Sequence, residues 1–188
     1  MIAWPDLQKK TSDYLEDISE KELDATAKFF ADSYVETVAD GTDLMQNGIA
    51  VPKPAAPIEA AWKTALNLQM NSDTALGASN WVPVETAIIL HWTATIFKFS
   101  TPHPPGATGL VNMTTMGGNP IIAAQIDLAF KQEDAKKVAA VLVSAYIAHS
   151  VTIMGLWSGL LPPVASSPVA VPWVGVFWWR LIFILDKG

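Results

Sequence analysis

The sequence contains no cysteine, and few of its residues are charged. Without cysteine there can be no disulfide, no thiol chemistry and no cysteine-ligated zinc site. Asp, Glu, Lys and Arg make up 16% of the 188 residues, against about 25% in a typical soluble domain. The formal net charge is -6, which argues against a basic surface for nucleic acid.

The charges are concentrated in the first part of the chain. Residues 1–50 carry eleven acidic and four basic side chains, and residues 51–188 carry the remaining seven acidic and eight basic ones. No Asp, Glu, Lys or Arg occurs in 99–126 or in 138–179. Uncharged stretches of this length are typical of a protein core, a membrane or an interface.

Apolar residues recur at helical spacing, which predicts a mainly α fold. We expect a bundle of about five helices, a long Pro/Gly-rich loop and an extended C-terminal arm. The predicted helices begin near Ser19, Ile58, Val84, Asn119 and Asp134. The third ends near Phe99 and the fifth near Leu160, and a shorter helix over 12–18 precedes the others.

The expected domain organisation follows the charge and the proline content. Residues 1–163 form a single helical domain, with acidic N-terminal helices in 1–47 and the core in 57–163. Residues 164–188 form the C-terminal arm. The N-terminal residues lack the basic start and apolar run of a secretory signal, so residence in a cytoplasm is the default expectation.

No motif in the sequence supports catalysis. His91 and His149 could bind a metal with Glu85 or Asp127, but no HExxH or similar ligand spacing is present, and core histidines are the favoured interpretation. There is no GxSxG motif, P-loop or dinucleotide fingerprint. We therefore expect no enzyme activity, no cofactor and no metal.

A membrane protein is the alternative that the uncharged stretches leave open. Residues 138–161 are long enough to span a bilayer, but they contain several polar side chains and two glycines. The last apolar run is shorter and contains Arg180. Burial in protein is favoured, and a small membrane-active protein of the lysis or channel type remains the alternative function.

The prolines and aromatic residues predict where other chains bind. Tryptophan often anchors interfaces, and the run from Trp173 is rich in residues that favour strands. That run is either a strand added to a neighbouring chain or a last core element of this domain. The interface candidates are Trp173, Phe177, Trp178, Trp179, Arg180, His103, Pro104 and Pro105.

Three short segments within 83–163 carry a family resemblance. They are Ile89-Leu90-His91-Trp92, the proline-rich segment 102–106, and the segment 155–160 before Pro162-Pro163. In these the chain resembles small virion structural proteins of contractile-tailed phages that infect cyanobacteria and other marine bacteria. The resemblance implies a virion location, many copies, and packing against itself and other structural proteins of a capsid, neck or tail.

Overall fold

A computed structural model of the chain describes residues 4–17, 22–39, 48–50, 53–72, 77–93, 97–99, 112–161 and 171–178. Most of this part is helical, which confirms the predicted mainly α class. It contains six α-helices rather than about five: α1 Trp4–Glu16, α2 Leu23–Val38, α3 Ala56–Met70, α4 Val82–Thr93, α5 Ile122–Phe130 and α6 Ala135–Ser150. A short 3-10 helix, Ala78–Trp81, leads directly into α4.

Five short strands accompany the helices. β1 (Gly48–Ala50) pairs antiparallel with β2 (Phe97–Phe99). β3 (Asn112–Met116), β4 (Met154–Leu161) and β5 (Val171–Trp178) form an antiparallel sheet in the order β3-β4-β5. The register aligns Met154 with both Met116 and Trp178. The run from Trp173 is thus a strand as far as Trp178, and it pairs with β4 of its own chain.

The six helices pack around one core. α1 lies against α6, α2 against α3, and α5 against α6. Helical spacing predicts a stripe of Leu23, Ala27, Phe30, Tyr34 and Val38 on α2, and the last four are buried while Leu23 is only partly buried. Trp62 and Trp92 occupy core positions as expected, and Trp4 and Trp81 are buried with them.

Aromatic stacking fixes how these helices meet. The rings of Phe30 and Trp62 are stacked with their centroids 4.6 Å apart, and Trp81 stacks on Phe130 at 5.0 Å. Trp92 Nε1 donates a hydrogen bond of 2.8 Å to Tyr34 Oη. These contacts join α2 to α3 and α4, and the 3-10 helix to α5, through large side chains that bury much apolar area and have restricted pair geometry.

Two predicted helix ends were wrong because strands begin there. α4 ends at Thr93 rather than near Phe99, since residues 97–99 pair with β1. α6 ends at Ser150 rather than near Leu160. The hydroxyls of Ser150 and Thr152 donate 2.7 Å hydrogen bonds to the carbonyls of Ile147 and His149. These bonds occupy acceptors of the last turn, and β4 follows.

The predicted helix starts were also inaccurate at several places. α1 begins at Trp4, before the expected 12–18 helix. α2 begins at Leu23, with Glu22 in the N-cap position and no side-chain cap, and Ser19, where we expected the helix to begin, lies outside the described residues. Met70, predicted on the inner face of α3, is 73% exposed. Asp134 does cap α6, because its carboxylate accepts from the Lys137 N–H at 3.0 Å.

The start of α5 is capped from another helix. We expected Asn119 and Pro120 to open it, but α5 begins at Ile122 and its N-cap residue, Ile121, makes no side-chain cap. Instead, Oε2 of the buried Glu85 on α4 accepts from the Ala123 N–H at 2.9 Å. A carboxylate at this position satisfies a free N–H and interacts favourably with the helix dipole.

The acidic helices carry their charges on the outside, as predicted. Asp13, Glu16, Asp17, Glu22 and Asp24 are exposed. Ion pairs cross between helices at the surface: Lys10 with Glu36 at 2.9 Å, and Lys63 with Asp24 at 2.7 Å. In the described part of the chain, no helix is long and apolar enough to cross a membrane.

Candidate interaction groove

A groove of about 770 Å³ lies between α3 and α4. Its α3 side consists of Pro57, Ile58 and Ala61, and Pro54 lies beside them. Its α4 side consists of Val82, Pro83, Thr86, Ala87, Leu90 and His91. We call this cavity the α3–α4 groove. Its lining is aliphatic apart from Thr86, His91 and Lys53, so it suits aliphatic side chains or hydrocarbon rather than a polar molecule.

The groove exists because α4 is apolar on nearly every side. One face of α4 packs into the core through the buried residues Val84, Ile88 and Trp92. The opposite face carries Leu90, which is 59% exposed, and Val82, which is 47% exposed. A helix with apolar residues all round normally has both faces covered. In the described part of this chain the second face borders an open groove.

Lys53 is the only lysine or arginine among the described residues that line the groove. Its Nζ donates a 2.7 Å hydrogen bond to the His91 carbonyl, near the end of α4. Lysine has three N–H donors, and among the described residues two of them have no acceptor. The described lining residues include no carboxylate. Partial burial lowers the pKa of Lys53. An anionic group arriving at this end of the groove would therefore meet a partly desolvated ammonium.

His91 lies at the same end of the groove as Lys53. Burial lowers the pKa of His91 to about 4, and the neighbouring charge of Lys53 contributes. The imidazole is therefore neutral near pH 7, and Lys53 carries the positive charge of this end. The ring of His91 also meets Tyr34 edge-on, with the centroids 6.3 Å apart.

His149 occupies a different place, at the end of α6, and is fully buried. Burial lowers its pKa, opposed by the backbone of Gly117 and by the charge of Glu85. Neither ring nitrogen has a hydrogen-bond partner of ordinary geometry among the described residues. His149 thus packs as a neutral ring beside Gly118, whose Cβ, if present, would lie 2.9 Å from Nε2.

The structure does not assemble the histidines into a metal centre. Within the described residues, no group of three His, Asp or Glu side chains is placed to hold a metal ion. His91 faces the α3–α4 groove, and His149 lies against the glycines that follow β3. The third histidine, His103, falls outside the described residues.

The predicted interface residues are only partly placed. Trp173, Phe177 and Trp178 belong to β5. The other five lie outside the described residues: Trp179, Arg180, His103, Pro104 and Pro105. Sequence reasoning missed the α3–α4 groove. The one feature of the sequence that pointed to the groove is that α4 is apolar on nearly every side. This pattern predicts a helix that is central or lies between partners, but it does not predict which face stays open.

Comparison with known proteins identifies no relative of this chain. No protein-family model matches the chain, and neither the curated proteins nor the solved structures include a significant match.

Proposed function

We propose that this chain is a structural or assembly subunit of a large protein complex, most specifically a virion component of a phage capsid, neck or tail. In this proposal it contacts further copies of itself and other structural proteins. The proposal draws on the charge-free second half of the sequence, the phage-protein resemblance of residues 83–163, and the surface of α4.

The observation that carries the proposal is the outer face of α4. Leu90 and Val82 are about half exposed beside an aliphatic groove, while Ile88 and Trp92 on the same helix are buried. Exposed apolar surface next to a concave site is a common mark of a protein–protein interface. Covering it with another chain would enclose α4 on both sides.

The mass of the purified protein in solution tests this proposal. We expect light scattering after size-exclusion chromatography to give an assembly several times heavier than the 20.3 kDa chain. Leu90→Asp should lower that mass, because a carboxylate in the interface would have to be desolvated without a partner.

Leu68→Asp is the matched control. Leu68 is 49% exposed on α3 and does not line the groove, so this variant should keep the wild-type mass. A stable wild-type monomer of about 20 kDa would contradict the proposal. So would equal losses of mass in the two variants, because the assembly would then not depend on the groove.

The virion assignment has its own test. Mass spectrometry of purified phage particles from a host that expresses this chain should detect it in constant proportion to the other structural proteins. Its absence from the particles, together with an intact oligomer in solution, would keep the assembly role and reject the virion location.

A further inference from the structure

We infer that the α3–α4 groove of one copy receives the C-terminal apolar run of a second copy, residues 181–186, with Asp186 of that run paired with Lys53. This inference rests on the proposed function, since it names the partner of the same groove. It depends on the length, the lining and the charge of the groove.

The lining of the groove selects an aliphatic occupant. It is formed by Pro, Ile, Ala, Val and Leu side chains, with Leu90 exposed along one wall. The run Leu181-Ile182-Phe183-Ile184-Leu185 is five consecutive large apolar residues, directly followed by Asp186. The acidic helices near the N-terminus carry exposed carboxylates, so they are a poor match for this lining.

The charge at one end sets the direction of the occupant. Lys53 lies beside His91, at the end of α4, and two of its N–H donors have no acceptor in the part of the chain that the structure describes. Asp186 is followed directly by Lys187, whose side chain lies on the opposite side of an extended chain. The Asp186 carboxylate can therefore face the single ammonium at the end of the groove as its electrostatic complement. Arg180, which precedes the run, would then extend beyond the Val82 end, away from Lys53.

The lengths agree. Val82 and His91 are nine residues apart on α4, so the groove wall between them is about 14 Å long at the rise of an α-helix. From residue 181 to residue 186, an extended chain covers about 17 Å. The apolar run can therefore lie along the whole wall and place a carboxylate at Lys53.

Exchange of the two charges is the most direct test, and it uses the full-length chain. Lys53→Glu and Asp186→Lys should each weaken assembly by about tenfold or more, as is typical for breaking a close interfacial charge pair. The double variant should recover most of the wild-type affinity, because the pair is restored in reverse. Sedimentation at a series of concentrations measures this directly.

Mixing two defective chains provides an independent test. Leu90→Asp blocks the groove but leaves the C-terminal run intact. Ile184→Asp disables the run but leaves the groove intact, because Ile184 lies on the same side of an extended chain as Asp186. Each variant alone should be a monomer. An equimolar mixture should give a species of twice 20.3 kDa, because only one of the two contacts can form. Circular dichroism shows whether both variants keep their helical content.

The outcomes separate this inference from the proposed function. If Leu90→Asp dissociates the assembly while Ile184→Asp and Asp186→Lys leave it intact, the groove is an interface with another occupant, and only the inference is overturned. If the wild-type chain is a monomer, both are overturned. Failure of the charge exchange to restore assembly, or of the mixture to form a dimer, also rejects the inference.

Discussion

Glu85 joins α4 to α5 through one hydrogen bond. It is buried, and its Oε2 accepts from the Ala123 N–H at 2.9 Å. Glu85→Ala would leave that N–H without its acceptor in a buried site, which costs about 1–3 kcal/mol. Glu85→Gln keeps an acceptor oxygen and should cost less.

Urea denaturation of the two variants measures these free energies of unfolding. Glu59→Ala is the control, because Glu59 occupies the corresponding first turn of α3 and is only partly buried. It should lose a few tenths of a kcal/mol, roughly the value of a carboxylate near a helix N-terminus. Equal losses at the two positions would mean that the bond to Ala123 has no special importance.

His91 and His149 should make the fold less stable in mild acid. Burial lowers the pKa of both, that of His91 to about 4. In the unfolded chain a histidine gains its proton near pH 6.5. Between pH 6.5 and about 4 the unfolded state therefore binds more protons, and the stability present above pH 6.5 is lost as the pH falls.

Denaturation at pH 7.5 and pH 5.5 checks this expectation. The charges that act on the two rings differ: Lys53 disfavours protonation of His91, while Glu85 favours protonation of His149. His91 should therefore contribute to the loss of stability, because its protonation is opposed both by burial and by Lys53. His91→Gln removes this contribution and should reduce the loss of stability between the two pH values. An unchanged pH dependence in that variant would show that other groups control it.

At the scale of the elements, the link from β3 to α5 depends on two glycines. A Cβ on Gly117 would clash with the Ile89 carbonyl and lie 2.6 Å from Thr93 Oγ1. Gly118 has a φ of 84°, which favours glycine. Gly117→Ala should therefore push the link away from α4 and cost about 1–3 kcal/mol, the usual range for overpacking.

A double variant separates the contact of a Gly117 Cβ with Thr93 from its two contacts with Ile89. Thr93→Ala removes the side-chain contact and should be nearly neutral alone, because Thr93 is exposed. Gly117→Ala combined with Thr93→Ala should remain destabilised, since the backbone oxygen of Ile89 cannot withdraw. Full recovery of thermal stability in the double variant would assign the strain to the threonine instead.

The parts of the fold that sequence predicted are those that depend on neighbours along the chain. The stripe of Ala27, Phe30 and Tyr34 on α2 reflects helical periodicity, and the cap at Asp134 needs only the next turn. The errors have distant causes. α4 stops before β2 because that strand pairs with β1, and α5 is capped by a carboxylate 38 residues earlier. The pattern of residues near α4 or near α5 gives no information about either of these contacts.

The α3–α4 groove also depends on contacts that are distant along the chain, and for this reason the sequence did not predict it. On a helix as apolar as α4, Ile88 and Leu90 are equivalent by composition, yet one is buried and the other is 59% exposed. Only the positions of α2, α3 and α5 decide between them. The sequence correctly indicated that α4 has two apolar faces, and the three-dimensional packing determines which face remains for a partner.

For the whole molecule, the net charge of -6 predicts how assembly responds to salt. Copies of the chain repel one another at long range, whereas the proposed contact is apolar apart from one partly buried ion pair. Raising the ionic strength from 0.01 to 0.15 M shortens the Debye length from about 30 to about 8 Å. The repulsion is then largely screened, while the buried pair is screened much less.

Assembly should therefore become stronger as NaCl is added over this range, and sedimentation at fixed protein concentration measures the change. The Lys53→Glu, Asp186→Lys double variant is the matched control, because it has the same net charge and should show the same salt response. An assembly held mainly by surface ion pairs, such as those of the acidic α1 and α2 helices, would instead dissociate as salt is added. Dissociation in salt would thus place the contact on the charged half of the molecule and away from α4.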